Sequence, residues 1–166
     1  MNSRSANNKV EVFALNNLPS IKEHDDIAKI ILENSKEDNL AIQKNDIVVI
    51  AQKIISKSEG RLIDLKTVVA SKQAEEIAKQ TSKDARLVEL IIQESNEIVR
   101  IQDGIIIVEH RLGHVLANAG IDQSNIENGD GHVLLLPENP SKSADQIRRA
   151  IESSIDVEVG VIITDS

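Results

Sequence analysis

Ile47-Val48-Val49-Ile50-Ala51 is a short, continuous apolar run, and it is the stretch that decides the fold class of this chain. A run of this kind is typical of a strand that is covered on both faces of its sheet. A helical pattern precedes it and is opened by Asp25 and Asp26, whose carboxylates suit the first turn of a helix. A basic, hydroxyl-rich turn, residues 52–61, follows it. The chain therefore mixes helices with strands.

Helical and strand patterns alternate along the rest of the chain. Helices are predicted within residues 72–95, with a break at residues 82–84, and after Ser143, where Ser143-Ala144-Asp145-Gln146 has the form of a capping box. Asp103-Gly104 separates two apolar runs and predicts a hairpin. Further strands are predicted at residues 10–15, 114–117, 133–136 and 157–164. The predicted fold class is α/β or α+β, with a mixed sheet and packed helices.

The composition limits the classes of partner. The chain has 166 residues and no Cys, which fits one domain without disulfides, and no apolar run reaches transmembrane length, so a cytoplasmic location is expected. A net charge of −8 opposes binding to nucleic acid or to an anionic membrane. Phe13 is the single aromatic residue, so stacking platforms for bases are lacking. A small anionic ligand would need local lysines or a bridging cation.

A dense run of oxygen-bearing side chains, Asn118-Ala119-Gly120-Ile121-Asp122-Gln123-Ser124-Asn125, follows a predicted strand. Asp122 and its neighbours offer the hard oxygen ligands that Mg²⁺ and Mn²⁺ prefer, the neighbours being Asn118, Ser124 and Asn125. The same residue types are favoured in ordinary turns, and the spacing alone favours a plain loop over a metal site. Asp165-Ser166 ends the last predicted strand, where the ligands of open sheets gather, and the alternative there is a frayed terminus.

Lys53 and Lys57 stand four residues apart and flank Ser56, so a helical turn would present two cations and a hydroxyl to a phosphate chain. A solvated basic turn is an equally common outcome. The chain has neither the P-loop pattern nor the dinucleotide fingerprint, so a nucleotide would be held in another way. His110 and His114 have metal-ligand spacing only on a helix, whereas the residues between them indicate a turn. This disfavours a zinc pair, and we expect surface or hairpin histidines.

Several segments carry a resemblance to a known family. They are Leu18-Pro19-Ser20-Ile21, Ser56-Lys57-Ser58-Glu59-Gly60-Arg61, Asn118-Ala119-Gly120-Ile121-Asp122-Gln123-Ser124-Asn125, Leu134-Leu135-Leu136-Pro137 and Gly160-Val161-Ile162-Ile163-Thr164-Asp165-Ser166. Taken together and in order, they resemble the coenzyme F-420:L-glutamate ligase family, the gamma-glutamyl ligases of deazaflavin coenzyme biosynthesis. The resemblance implies a polar leader at residues 1–9 and the N-terminal portion of a ligase domain at residues 10–166. It further implies a ligase-specific fold whose C-terminal remainder is absent.

The resemblance implies a GTP-dependent amide ligase. Such an enzyme would add L-glutamate to the lactyl-phospho-deazaflavin precursor of coenzyme F-420, and then a further gamma-linked glutamate, through an acyl phosphate. The implied nucleotide contacts are Leu18, Pro19, Ser20, Ile21, Gln52, Lys53, Lys57 and Asn125. The implied ligands of a divalent metal, Mg²⁺ or Mn²⁺, are Asp122, Asp165 and Ser166. A monovalent cation is a further candidate, and the full-length protein is implied to be a homodimer.

Two departures from the family's pattern leave alternatives open. Gln52 stands where the family often has Ser, which keeps a hydrogen-bonding group at that nucleotide contact. The family also continues beyond the Asp-Ser pair into a second half that carries more of the nucleotide site. One alternative is therefore a non-catalytic fragment with at most weak nucleotide or metal binding. Another is the ligase part of a two-domain protein in which a flavin-type reductase domain follows.

Overall fold

The computed structural model describes residues 9–123 and 131–165. Helices and strands alternate along these residues. The helices are α1 (Ile27–Glu37), α2 (Gln52–Ser58), α3 (Lys72–Thr81), α4 (Ala85–Gln93) and α5 (Pro140–Ile155). The strands are β1 (Ile47–Ala51), β2 (Leu62–Asp64), β3 (Ser95–Gln102), β4 (Ile105–His110), β5 (Val115–Ala117), β6 (His132–Leu134) and β7 (Gly160–Thr164). Short 3₁₀ turns follow β2 and β5.

The strands pair in both orientations. β1 and β7 are parallel, with Ile47 opposite Gly160 and Ala51 opposite Thr164. β2 pairs antiparallel with β6, and β3, β4 and β5 form an antiparallel sheet in that order. The predicted α+β class is confirmed. In the described residues the strands form three small sheets rather than one joined sheet.

Two apolar clusters hold these elements together. The first joins α1, α2 and α5 to the β1/β7 pair and contains Ile27, Ala28, Ile31, Ile50, Ile55, Ile147, Ile151 and Val159. The second joins α3 and α4 to β4 and β6, with Val88, Ile91, Ile106, Val108 and Val133 fully buried among its members. Aliphatic side chains alone fill both clusters, as the near absence of aromatic residues requires.

Two strand predictions are wrong in part. Residues 10–15 alternate as a strand would, yet they form none, and Val10 and Val12 are 87% and 89% exposed. A strand needs a partner for its backbone groups, and the described residues supply no partner here. β1 forms where expected, but the described residues cover it on one face only. Ile50 is 4% exposed, whereas Ile47 and Val49 are each 61% exposed.

The starts of α1 and α5 show which capping residues determine where each helix begins. Asp26 precedes α1 instead of lying in its first turn as predicted, and it caps the helix by accepting a hydrogen bond from the Lys29 N–H at 3.0 Å. The capping box predicted at Ser143 is wrong, because α5 begins one turn earlier at Pro140, with Asn139 accepting from the Lys142 N–H. Proline at the first helical position is already held at a helical φ, so Asn139-Pro140 is the stronger start.

Within residues 9–123 and 131–165, no helix is both long enough and apolar enough to cross a membrane.

Candidate functional site

The candidate site lies where β1 passes directly into α2. Ala51 is still extended, and Gln52 and Lys53 are the first two residues of the helix. β7 runs parallel to β1 and ends beside it at Thr164, so that Asp165 follows at the same edge of the pair. Loops at the carboxyl ends of parallel strands are where open sheets bind their ligands. The parallel register therefore brings Asp165 to the start of α2.

Both predicted metal-binding aspartates contact this helix start. Lys53 Nζ lies 2.7 Å from Asp122 Oδ2, and the two side chains are only 19% and 20% exposed. Gln52 Nε2 donates a hydrogen bond to Asp165 Oδ1 at 3.2 Å. Because the α-carbons of Gln52 and Lys53 are neighbours about 3.8 Å apart, the two carboxylates approach one end of α2. The start of α2, Asp122 and Asp165 thus come together from three distant parts of the chain.

Asp122 is held in place by its backbone. Its N–H donates to the Leu134 carbonyl at 3.0 Å, and its own carbonyl accepts from the Leu134 N–H at 2.8 Å. The preceding turn is tight, since Asn118 and Ala119 both have positive φ. Asn118 Oδ1 accepts a hydrogen bond from the Ile106 N–H at 3.1 Å. The grouping of Asn118 with Asp122 as metal ligands stays a prediction, and the Asn118 oxygen already accepts one hydrogen bond at the start of β4.

Three other predicted contacts cannot be placed. Ser124, Asn125 and Ser166 lie outside the described residues.

The donor set at the helix start suits a hard divalent cation. Besides the carboxylates of Asp122 and Asp165, Gln52 presents Oε1, a buried amide oxygen for which residues 9–123 and 131–165 supply no hydrogen-bond partner. Oxygen donors of this kind are those that Mg²⁺ and Mn²⁺ prefer. Among the described residues, no three His, Cys, Asp or Glu side chains come together as a metal site. A cation here would therefore take its other ligands from water and phosphate, as Mg²⁺ commonly does.

The predicted nucleotide loop, residues 18–21, lies toward the opposite end of α2. Ile21 packs against the first apolar cluster, while Leu18 is 39% exposed. The His24 N–H donates to the Ser58 carbonyl at 2.9 Å, which ties the loop to the last residue of α2. Gly60 has a φ of +70°, and the Glu23 side chain fills the space that a Cβ would take there. Loop and helix therefore pack closely.

Lys57 lies in the last turn of α2 and is partly exposed. The predicted contacts thus follow the helix, with Gln52 and Lys53 at its start, Lys57 near its end and residues 18–21 beyond. Seven residues at 1.5 Å each give α2 a length of about 10 Å. The alternative that residues 52–61 form only a solvated turn is excluded, because Gln52, Ile55 and Ser56 are buried.

A buried ionic cluster that the sequence did not predict adjoins this region. Three groups meet Glu94 Oε2: Arg61 Nη2 at 2.7 Å, Arg111 Nε at 3.0 Å and His110 Nε2 at 3.4 Å. Arg111 makes a directed hydrogen bond, whereas Arg61 Nη2 has an ion-pair distance without a well-aimed N–H, and His110 Nε2 lies close to the carboxylate without one. Burial raises the pKa of Glu94, but the two arginines outweigh it and keep that pKa below its usual range.

The same arginines bind the segment that leads into α5. Arg61 Nε donates to the Leu136 carbonyl at 3.0 Å, and Arg111 donates to the carbonyls of Pro137 and Glu138. Glu59 accepts from the Glu138 N–H at 2.7 Å. These contacts border an open cleft of about 530 Å³. Since Arg61, Arg111 and Glu94 already bind one another or the backbone, the cluster has a structural role.

His110 ends β4 at the β4–β5 hairpin, as expected for a hairpin histidine, but it is fully buried rather than at the surface. Its Nδ1 accepts a hydrogen bond from the Leu112 N–H at 3.0 Å, which leaves the proton on Nε2, facing Glu94. Burial is the main cause that lowers the pKa of His110 below its ordinary value. The imidazole is therefore neutral in the folded protein near neutral pH.

This burial predicts a pH dependence of stability. As the pH falls below about 6.5, the unfolded chain binds a proton at His110 while the folded protein does not. The free energy of unfolding should therefore decrease from pH 6.5 until the pH passes the lowered folded pKa. Urea unfolding at several pH values measures this, and His110→Asn, which keeps an acceptor for the Leu112 N–H, should flatten the slope. His114→Asn is the exposed control, and an equal flattening by both variants would contradict the assignment.

Comparisons with known proteins show the family of this chain. A sequence model of the F420-0:gamma-glutamyl ligase family matches residues 16–166. The coenzyme F420:L-glutamate ligase of Methanocaldococcus jannaschii is 43% identical over 160 residues, which cover 95% of this chain and 60% of the relative. The proteins of the same name from Methanopyrus kandleri and Methanothermobacter thermautotrophicus are 41% and 40% identical, and the matches cover 55% and 62% of their lengths.

The chain belongs to the F420-0:gamma-glutamyl ligase family. The membership predicted from its segments is confirmed. The chain spans about three fifths of the length of these relatives.

Proposed function

We propose that this chain forms the nucleotide- and metal-binding part of a GTP-dependent ligase of coenzyme F420 biosynthesis. The enzyme would add L-glutamate to the lactyl-phospho-deazaflavin precursor and then a gamma-linked glutamate. The observation that carries the proposal is the approach of Asp122 and Asp165 to the first two residues of α2, through Lys53 and Gln52. The name of the relatives, coenzyme F420:L-glutamate ligase, supports the choice of amino acid.

The nucleotide would lie along α2. Its phosphates would face Lys53 and the two aspartates, and its guanosine would face residues 18–21, with Lys57 between them. The helix length of about 10 Å suits a triphosphate that extends from one end to the other. The acidic net charge of the chain does not oppose this arrangement, because a cation and two lysines would neutralise the phosphates locally.

The proposed reaction has two steps. A carboxylate oxygen of the acceptor attacks the γ-phosphorus of GTP, the bond to the β-phosphate oxygen breaks, and GDP leaves an acyl phosphate behind. The amine of L-glutamate then attacks the acyl carbon, a C–N bond forms, and phosphate and a proton depart. Such transfers depend mostly on positioning and charge neutralisation. Lys53 would bind the transferred phosphoryl group, and the buried Gln52 would fix Asp165.

A Mg²⁺ or Mn²⁺ held by Asp122, Asp165 and Ser166 would supply further charge neutralisation at the phosphates. The same proposal includes three further points. The enzyme would prefer GTP over ATP, it would bind a monovalent cation, and the full-length protein would be a homodimer.

The proposal is tested by comparing the 166-residue chain with a protein extended to the length of its relatives. We expect the extended protein to consume GTP and form glutamylated product, detected by mass spectrometry, only with Mg²⁺ or Mn²⁺ present. Hydroxylamine in place of glutamate should trap the acyl phosphate as a hydroxamate, and ATP should replace GTP poorly. Product formation without a nucleotide would contradict the proposal.

An assay of the 166-residue chain distinguishes an active ligase from a non-catalytic fragment. The chain spans about three fifths of the length of its relatives, so its own activity is measured separately. Glutamate addition by the 166-residue chain would refute the fragment. Activity confined to the extended protein, with only weak GTP binding by the shorter chain, would support it.

A further inference from the structure

The Lys53–Asp122 ion pair differs from ordinary surface pairs in its burial. Its two side chains are 19% and 20% exposed, whereas the similar pair Lys44–Glu158 joins side chains that are 65% and 76% exposed. Lys53 is not needed to hold Asp122, because the two backbone hydrogen bonds to Leu134 already fix that residue. The ammonium therefore serves the carboxylate as a counter-charge.

The position of that ammonium conflicts with metal binding. Lys53 Nζ lies 2.7 Å from Asp122 Oδ2, and a divalent cation would approach a carboxylate oxygen to about 2.1 Å. Two cations cannot occupy the same side of one oxygen, because their mutual repulsion at such distances is large. A lysine can leave readily, since its point charge sits on a flexible four-carbon chain. An ammonium displaced from Asp122 then needs another anion as its counter-charge.

We propose that Lys53 is a resident counter-cation that competes with the divalent metal for Asp122 and is released by the nucleotide's phosphates. This inference rests on the proposed function, since it assumes a metal at Asp122 and a triphosphate nearby. With no nucleotide present, Lys53 keeps Asp122 neutralised and weakens metal binding. When a triphosphate binds, the Lys53 ammonium forms an ion pair with its phosphate oxygens, and the metal can then bind Asp122. Metal and nucleotide therefore bind cooperatively.

The test measures metal binding alone, with the 166-residue chain and Mn²⁺ followed by electron paramagnetic resonance, and needs no turnover. Lys53→Met should bind Mn²⁺ about tenfold or more tightly than the unchanged chain when no nucleotide is present. Lys57→Met is the matched control, since it removes the same charge one helical turn away and should change the affinity less than about twofold. Lys53→Gln serves as a second variant if Lys53→Met unfolds, which circular dichroism would reveal.

Each outcome decides the matter. Tighter Mn²⁺ binding by Lys53→Met alone, lost again when Asp122→Asn is added, supports the proposal. Unchanged or weaker binding by Lys53→Met, or an equal gain in Lys57→Met, overturns it while leaving the metal site intact. Mn²⁺ binding that Asp122→Asn does not affect, or no binding by any variant, contradicts the metal site itself and the competition with it.

Discussion

Asp122→Asn, introduced into a protein of the relatives' full length, should lower kcat for glutamate addition by about 10²–10³-fold at limiting Mn²⁺. The substitution removes one carboxylate charge from the proposed metal site but keeps the side chain's size. The backbone bonds to Leu134 remain, so the midpoint of thermal unfolding should change little. Lys53 loses the charge of Asp122 but is partly exposed, and its flexible chain lets the ammonium reach water at small cost. Steady-state kinetics at several Mn²⁺ concentrations measures the effect.

Two further variants sharpen this prediction. Asp165→Asn should act in the same direction, because Asp165 is the other carboxylate at the start of α2. Asp103→Asn is the control, since Asp103 is an exposed residue of the β3–β4 turn and lies outside the proposed site. Normal turnover by Asp122→Asn at limiting Mn²⁺ would refute the metal assignment, and an equal loss in Asp103→Asn would point to a general effect of charge.

Glu94→Gln should be the most destabilising of the substitutions considered for this chain, by about 2–3 kcal/mol. Glu94 is 8% exposed, and its Oε2 is the common partner of Arg61 and Arg111. Neutralising it leaves two arginines beside each other without a counter-charge. The cost falls below that of a fully buried pair because Arg111 is 31% exposed and gains solvent screening. Urea unfolding measures the loss.

The control is Glu76→Gln, at an exposed position of α3, which should change stability by less than about 0.5 kcal/mol. Acid unfolding supplies a second readout. Because the folded pKa of Glu94 is lowered, its contribution is present above its unfolded pKa and is lost as the pH falls through the folded value. Glu94→Gln should remove this part of the pH dependence, and a slope unchanged in acid would contradict the role given to the cluster.

Local sequence signals account for the elements that were predicted well. The hairpin at Asp103-Gly104 and the α3–α4 pair each depend on periodicity and a turn residue within a short window. Residues 10–15 and the second face of β1 were mispredicted because both depend on a partner elsewhere in the chain. The start of α5 was mispredicted because two local signals lie close together. Ser143-x-x-Gln146 fits a helix start, but Asn139-Pro140 fits it better.

The candidate site shows the same division. The chemistry of Asp122, Asp165 and Lys53 could be read from the sequence, because carboxylates after strands and paired lysines are patterns of residue type. Their approach to one end of α2 could not, since it requires the parallel register of β1 with β7 and the backbone pairing of Asp122 with Leu134. The Glu94 cluster was missed for that reason, as Arg61 and Arg111 lie far from Glu94 or beyond a hairpin in sequence.

The open face of the β1/β7 pair affects how this chain behaves in solution. Ile47, Val49 and Ile162 are 61%, 61% and 48% exposed, and Val10 and Val12 add a second apolar strip. Exposed apolar strands of different molecules tend to associate. The protein should therefore self-associate at high concentration through these surfaces. Such self-association would make binding sites inaccessible, even where the residues of those sites are intact. Titrations of the 166-residue chain therefore belong at low protein concentration, with light scattering recorded alongside.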